Sequence, residues 1–88
     1  MIETNEIGRV IEICAKTTKI AEEEISYRLV KIESDFWLYL LRVCSGEEEA
    51  IIIAGNDMAS AKSIFDSFVD GKVSPCSAND VFKDIILS

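Results

Sequence analysis

The stretch that most constrains the fold is 36–71, where two apolar runs flank a short acidic turn and an amphipathic segment follows. In an extended chain, alternate side chains point to opposite faces. The two faces of 36–44 carry Trp37, Tyr39, Leu41 and Val43 on one side, and Phe36, Leu38 and Leu40 on the other. A strand that is apolar on both faces is normally central and covered on both sides. This run therefore predicts a central strand.

The amphipathic segment predicts a helix over 57–70. Apolar residues recur there at i, i+3, i+6, i+7 and i+10, which places on one stripe Met58, Ala61, Ile64, Phe65 and Phe68. Asn56 or Asp57 is suited to the N-cap, and Gly71 to the C′ position. We expect the stripe to pack on the sheet face that carries Trp37, Tyr39, Leu41 and Val43.

Three further segments complete the predicted sheet. The run 25–32 alternates, and the run 50–54 is short and wholly apolar. The run 9–16 fits a helical stripe, but its β-branched residues favour a strand, with Ile11, Ile13 and Ala15 on one face. We choose the strand and expect a turn or loose connection over 17–24.

The C-terminal part predicts a second helix. Pro75 interrupts the chain, and the sequence from Ser77 to Asp80 is typical of a helix start. Val81, Phe82, Ile85 and Ile86 then form one face of a helix over 78–87. Short connections between successive strands favour an antiparallel meander. We therefore predict one α+β domain over 1–88: about four meandering strands, then two C-terminal helices packed on one face, with residues 1–8 frayed.

Composition excludes several function classes. The net charge is −7, so binding to nucleic acid or to an anionic membrane is not expected. No run approaches the ~20 apolar residues that span a bilayer, and the N-terminus lacks the features of a signal peptide. The three cysteines are widely spaced, and the chain has no histidine. We therefore predict a cytoplasmic protein with half-buried free thiols and without a zinc site.

The order of features over most of the chain, about 24–87, is like that of a known family. Tyr27 lies in one strand, Val73-Ser74-Pro75 form a break, and Asp80-Val81 with Asp84 lie in the last helix. This order, over about 24–87, resembles a family of short proteins of unknown function from Gram-positive, clostridia-like bacteria. The pair Phe36-Trp37 departs from the Tyr-Gly pair of that family. The resemblance implies the fold and a bacterial cytoplasmic origin, and it implies no activity.

No catalytic, cofactor-binding or metal site is predicted. Two acidic triplets, 22–24 and 47–49, should lie at the same end of a meander, where a cation site is one interpretation and a solvated edge the other. The most informative residues are Phe36, Leu38 and Leu40. Monomers rarely expose a large apolar patch, so these residues predict an interface with a second copy or another protein.

Two alternatives to that interface stay open. The N-terminal segment or the last helix could fold across the face of Phe36, Leu38 and Leu40 and bury it. The chain could also be a small-molecule- or metal-binding domain with a pocket between sheet and helices. The expected function is a small, self-associating, non-catalytic interaction or regulatory protein, most simply a homodimer.

If Phe65 and Phe68 are both core residues, their truncation should be costly. We expect Phe65→Ala and Phe68→Ala each to lower the free energy of unfolding by about 3–5 kcal/mol, because each leaves a cavity. Urea denaturation followed by circular dichroism measures this. A small loss at both positions would contradict the helix assignment.

Overall fold

The computed structural model describes residues 9–87, and the expected fraying of 1–8 lies outside that range. The elements are β1 Arg9–Ile20, β2 Glu23–Glu33, β3 Trp37–Ser45, β4 Glu48–Gly55, α1 Met58–Asp70, a 3-10 turn Pro75–Ser77 and α2 Ala78–Leu87. The four strands form one antiparallel sheet in the order β1-β2-β3-β4. The predicted meander followed by two C-terminal helices is confirmed.

The first hairpin is longer and tighter than predicted. The expected connection over 17–24 is wrong, because β1 and β2 stay paired as far as Ile20 and Glu23 and leave a two-residue turn. Ala21 opens this turn with a φ of 56°, and Gly46 opens the turn between β3 and β4 with a φ of 60°. Glycine adopts this conformation freely and alanine does so at a cost, so the sequence carries a turn signal at only one of the two sites.

A β-bulge divides β1 into two halves. The register shifts between Glu12 and Cys14, and both Ile13 and Cys14 pack against the core. Beyond the bulge, Ala15 lies opposite Arg28 on the other face. The prediction that Ile11, Ile13 and Ala15 share one face is therefore wrong for Ala15, because one extra residue reverses the alternation. The same extra residue explains why periodicity in this run also fits a helix.

Both helices cover the same face of the sheet. The buried core lies between the helices and this face and consists of Ile25, Tyr27, Leu29, Tyr39, Leu41, Val43, Ile52, Ala54, Ala61, Ile64, Phe65, Phe68, Val73 and Ala78. Val81, Phe82 and Ile85 of α2 pack against its edge. The thinnest dimension is 18 Å, which fits two layers and leaves no room for a third. The expected packing face is confirmed, although Trp37 lies at its margin and is half exposed.

The ends of α1 are capped by local hydrogen bonds. A side-chain oxygen of Asp57 accepts from the Ser60 amide at 2.9 Å, and this bond holds the pKa of Asp57 below its usual value. At the other end the left-handed residue is Lys72, with φ 51°, whereas Gly71 has φ −84°. The assignment of C′ to Gly71 is therefore wrong by one residue. A β-carbon at position 71 would lie 3.2 Å from the Ser67 carbonyl oxygen. The lack of room beside this oxygen explains why glycine occupies the position.

A buried hydrogen bond ties the sheet to the segment after α1. The Tyr27 hydroxyl donates to the Val73 carbonyl oxygen at 2.8 Å. The Val73 amide in turn donates to the Phe68 carbonyl oxygen at 3.1 Å and closes the end of α1. Tyr27 thus fixes where the chain leaves the helix and turns toward α2.

We expect Tyr27→Phe to lower the free energy of unfolding by about 1–3 kcal/mol, because it leaves the buried Val73 carbonyl without a donor. Tyr39→Phe is the matched control, since within the described residues no hydrogen bond is made by the Tyr39 hydroxyl. Urea denaturation at neutral pH measures both. Equal losses of unfolding free energy in the two variants would show that the Tyr27 hydrogen bond adds no stability of its own.

Tyr27 also predicts a loss of stability at alkaline pH. Burial raises the pKa of Tyr27 above its ordinary value of 10.0, so the folded state keeps a proton that the unfolded state releases. Stability should therefore be intact below pH 10 and fall as the pH rises above it. Tyr27→Phe should lose less stability over that interval than the wild type loses.

Candidate interaction face

The second face of the sheet is not covered by any element within residues 9–87. We call it the open face. The strand register places on it Val10, Glu12, Ala15, Thr17, Ser26, Arg28, Val30, Ile32, Leu38, Leu40, Arg42, Cys44, Glu49, Ile51 and Ile53. Except at the register shifts in β1 and between β3 and β4, these side chains alternate along the strands with the core residues. The open face is therefore a fixed consequence of the same strands that build the core.

One half of the open face is apolar. We call it the apolar end, and it consists of Val10, Val30, Ile32, Leu38, Leu40, Ile51 and Ile53. Cross-strand pairing joins these residues into rows: Leu40, for example, lies opposite both Val30 and Ile53. Val10, Ile51 and Ile53 are 68%, 53% and 60% exposed. Four strands thus contribute to one continuous apolar surface, of the kind that a small protein seldom leaves in water.

The structure brings together two of the three predicted interface residues. Leu38 and Leu40 lie in the apolar end and are half-buried by their neighbours. Phe36 is not in β3 as predicted: it lies in the bend before that strand and is 71% exposed. Its carbonyl oxygen accepts from the Ser34 amide at 2.9 Å, and this tight bend turns the chain before the strand alternation begins.

Sequence reasoning missed the other members of the apolar end. Ile51 and Ile53 carry a usable signal, because they alternate with the core residue Ile52. Val10 and Ile32 carry no such signal in the sequence, since only the pairing register shows that they lie opposite each other.

The last helix does not cover the open face, so that alternative is wrong. The side chains of Val81, Phe82 and Ile85 pack against the core on the helical side. Residues 9–20 do not fold across the face either, because they form the edge strand β1. Covering by residues 1–8 falls outside the described range.

The other half of the open face is polar, and we call it the polar end. Arg28 lies directly opposite Arg42. Arg28 pairs through Nε with Glu12 at 3.0 Å, and Arg42 donates through Nε to Glu49 at 2.6 Å. The hydrogen bond with Glu49 raises the pKa of Arg42. The charges of this end are thus arranged in pairs that reach toward the two edges of the sheet.

The two acidic turns lie at the same end of the sheet, as the meander predicts. Over residues 9–87, no three carboxyl or thiol groups converge in a way that could hold a metal ion. Glu49 is instead held by Arg42. This part of the chain therefore offers no cation site at the acidic turns.

All three cysteines are free. Cys14 and Cys44 are half-buried as expected, whereas Cys76 is exposed, because it lies on the outer side of the 3-10 turn and the neighbouring Pro75 is buried.

The structure contains a counterpart of the predicted alternative, a pocket between sheet and helices. A depression of about 420 Å³ lies between β1 and α1, where the helix does not reach the edge strand. Its lining is apolar at Phe65 and Val69 and carries charges of both signs at Lys16, Lys62 and Asp66. It is a solvated groove beside the core and not a gap within it.

Comparison with protein-family models, with curated proteins and with solved structures finds no match for this chain. The resemblance to the clostridial family therefore stays a prediction. Within residues 9–87, no helix is both long enough and apolar enough to span a membrane.

Neighbouring isoleucines in β4 test the two faces directly. We expect Ile52→Thr to lower the free energy of unfolding by about 2–4 kcal/mol, because it places a hydroxyl in the core. Ile53→Thr should change it by less than about 1 kcal/mol, since the site is open and threonine also favours strands. Urea denaturation of both variants measures this. Similar losses would mean that both faces are covered.

Proposed function

We propose that this chain is a small cytoplasmic interaction protein that forms a homodimer through the apolar end and does no catalysis. The observation that supports this proposal is the continuous apolar surface on the open face. Burying such a surface is worth roughly 25 cal/mol per Å². The cytoplasmic location and bacterial origin rest on the acidic composition, the free thiols and the family resemblance.

A second copy is the simplest occupant of the apolar end. Two sheets pack face to face about 10 Å apart, with strands nearly aligned. A two-fold axis brings the same patch of both copies together, and such an interface closes at two subunits. One charged side chain, that of Glu12, lies opposite Val30 at the edge of the apolar end. It is paired with Arg28 at 3.0 Å, so pairing of two copies there buries no unpaired charge.

The charge distribution selects one arrangement of the two copies. Each chain carries a net charge of −7, and both acidic turns lie beyond the polar end. If the two-fold axis lies between the sheets, across the strands and through the apolar ends, only the apolar ends overlap. The acidic turns then point away from each other at opposite ends of the pair, which keeps electrostatic repulsion small.

The oligomeric state tests this proposal. We expect light scattering after size exclusion to give twice the chain mass for the wild type and the chain mass for Ile53→Asp, with an unchanged circular dichroism spectrum. Added salt should strengthen the wild-type dimer, because it screens repulsion between acidic copies. Leu87→Asp is the matched control, since it adds the same charge at an exposed apolar residue outside the open face.

A folded monomeric wild type at all concentrations would refute self-association. A dimer that persists in Ile53→Asp but is lost in Leu87→Asp would place the interface on α2 and refute the role of the apolar end.

A further inference from the structure

The polar end of the open face contains a depression of about 210 Å³. Its lining includes Lys16, Arg28 and Arg42 together with the short polar residues Thr17 and Ser26. In the described part of the chain, no carboxylate lines it, although acidic residues outnumber basic ones 16 to 9. Lys16 pairs with the core residue Tyr27, so its side chain belongs to the opposite face, and two arginines, Arg28 and Arg42, supply the charge of this concave surface.

The register places two of these charges side by side. Arg28 and Arg42 are direct cross-strand neighbours, an arrangement that is unfavourable for like charges. Glu12 engages Nε of Arg28, while Glu49 engages Nε and a terminal nitrogen of Arg42. A guanidinium carries five N–H donors, so each arginine keeps donors that these ion pairs do not use.

The floor of the depression is formed by short side chains. Thr17 lies opposite Ser26, and Ala15 lies opposite Arg28. The bulge in β1 is what brings Ala15 to this face. Because these side chains are short, space remains between the long arginine side chains, and the two hydroxyls add donors to it. The volume exceeds that of one water and is below the 300–1,000 Å³ of drug-sized pockets.

We propose that this depression binds a small anion through a phosphate or carboxylate group held by Arg28 and Arg42. Arginine side chains match the planar, bidentate geometry of both groups. The hydroxyls of Thr17 and Ser26 complete the donor set. The site adjoins the proposed dimer contact, because Arg42 lies opposite Ile51 of the apolar end, but its donors all belong to the polar end.

The test is a titration followed by amide chemical shifts in ¹⁵N NMR spectra. The probes are inorganic phosphate and succinate, each compared with sodium chloride at matched ionic strength. We expect saturable shifts centred on residues around the depression for at least one probe. Arg28→Gln and Arg42→Gln should each raise the apparent Kd about tenfold or more, since each removes charge-assisted hydrogen bonds.

Two further variants separate a built site from a general charge effect. Arg9→Gln removes the same charge from an arginine that pairs with Glu33 away from the depression, and it should leave the Kd within about twofold. Ser26→Leu keeps the charge and fills the floor, and it should abolish binding. Circular dichroism confirms that each variant is folded.

The outcomes divide cleanly. Saturation with phosphate alone assigns a phosphate ligand, saturation with succinate alone assigns a carboxylate ligand, and saturation with both supports an anion site for either group. Absence of saturable shifts with both probes, or equal loss in Arg9→Gln and Arg42→Gln, would overturn the proposal. Light scattering on the same samples reports the oligomeric state separately, so failure of the anion site and failure of the proposed dimer are distinguishable.

Discussion

The structure depends on one imbalance: both faces of the sheet carry apolar residues, and the helices cover only one of the two faces. Phe65 and Phe68 of α1 pack on the inner residues of the central strands, and α2 adds to the same layer. Placing both helices on one side gives α2 an apolar neighbour, which a helix of ten residues needs for stability. Within residues 9–87, the opposite face is not covered by a helix and stays open to contact with another molecule.

Much of this fold follows from local patterns in the sequence. The helix stripe around Phe65 has a clear period, and the alternation in β3 separates core residues from the rest. The bulge at Ile13 could not be predicted from the sequence, because one inserted residue gives the apolar residues of a strand a spacing like that of a helix. The turn at Ala21 could not be predicted for a different reason: the residue at this position disfavours the positive φ that the turn requires. The end of α1 depends on a tertiary bond from Tyr27 to the following segment.

The surface was less predictable than the core for a physical reason. Leu38 and Leu40 could be assigned to one patch because they lie two residues apart in one strand. Ile53 and Val10 join them only through pairing of strands distant in sequence, so their neighbours are known only once the register is known. The pairing of Arg28 with Arg42 is likewise a property of register. Composition, with its strong excess of acid, points away from a cationic depression.

The bulge in β1 also bears on how far association can proceed. An edge strand exposes unpaired backbone groups, and strand addition there leaves a fresh edge after every step, which is how fibres grow. A bulge interrupts the regular ladder at such an edge and twists it, so β1 is a poor template for another strand. In the proposed dimer, in contrast, the apolar end is fully used once two copies meet. If that dimer forms, a chain this rich in apolar surface remains a particle of two copies.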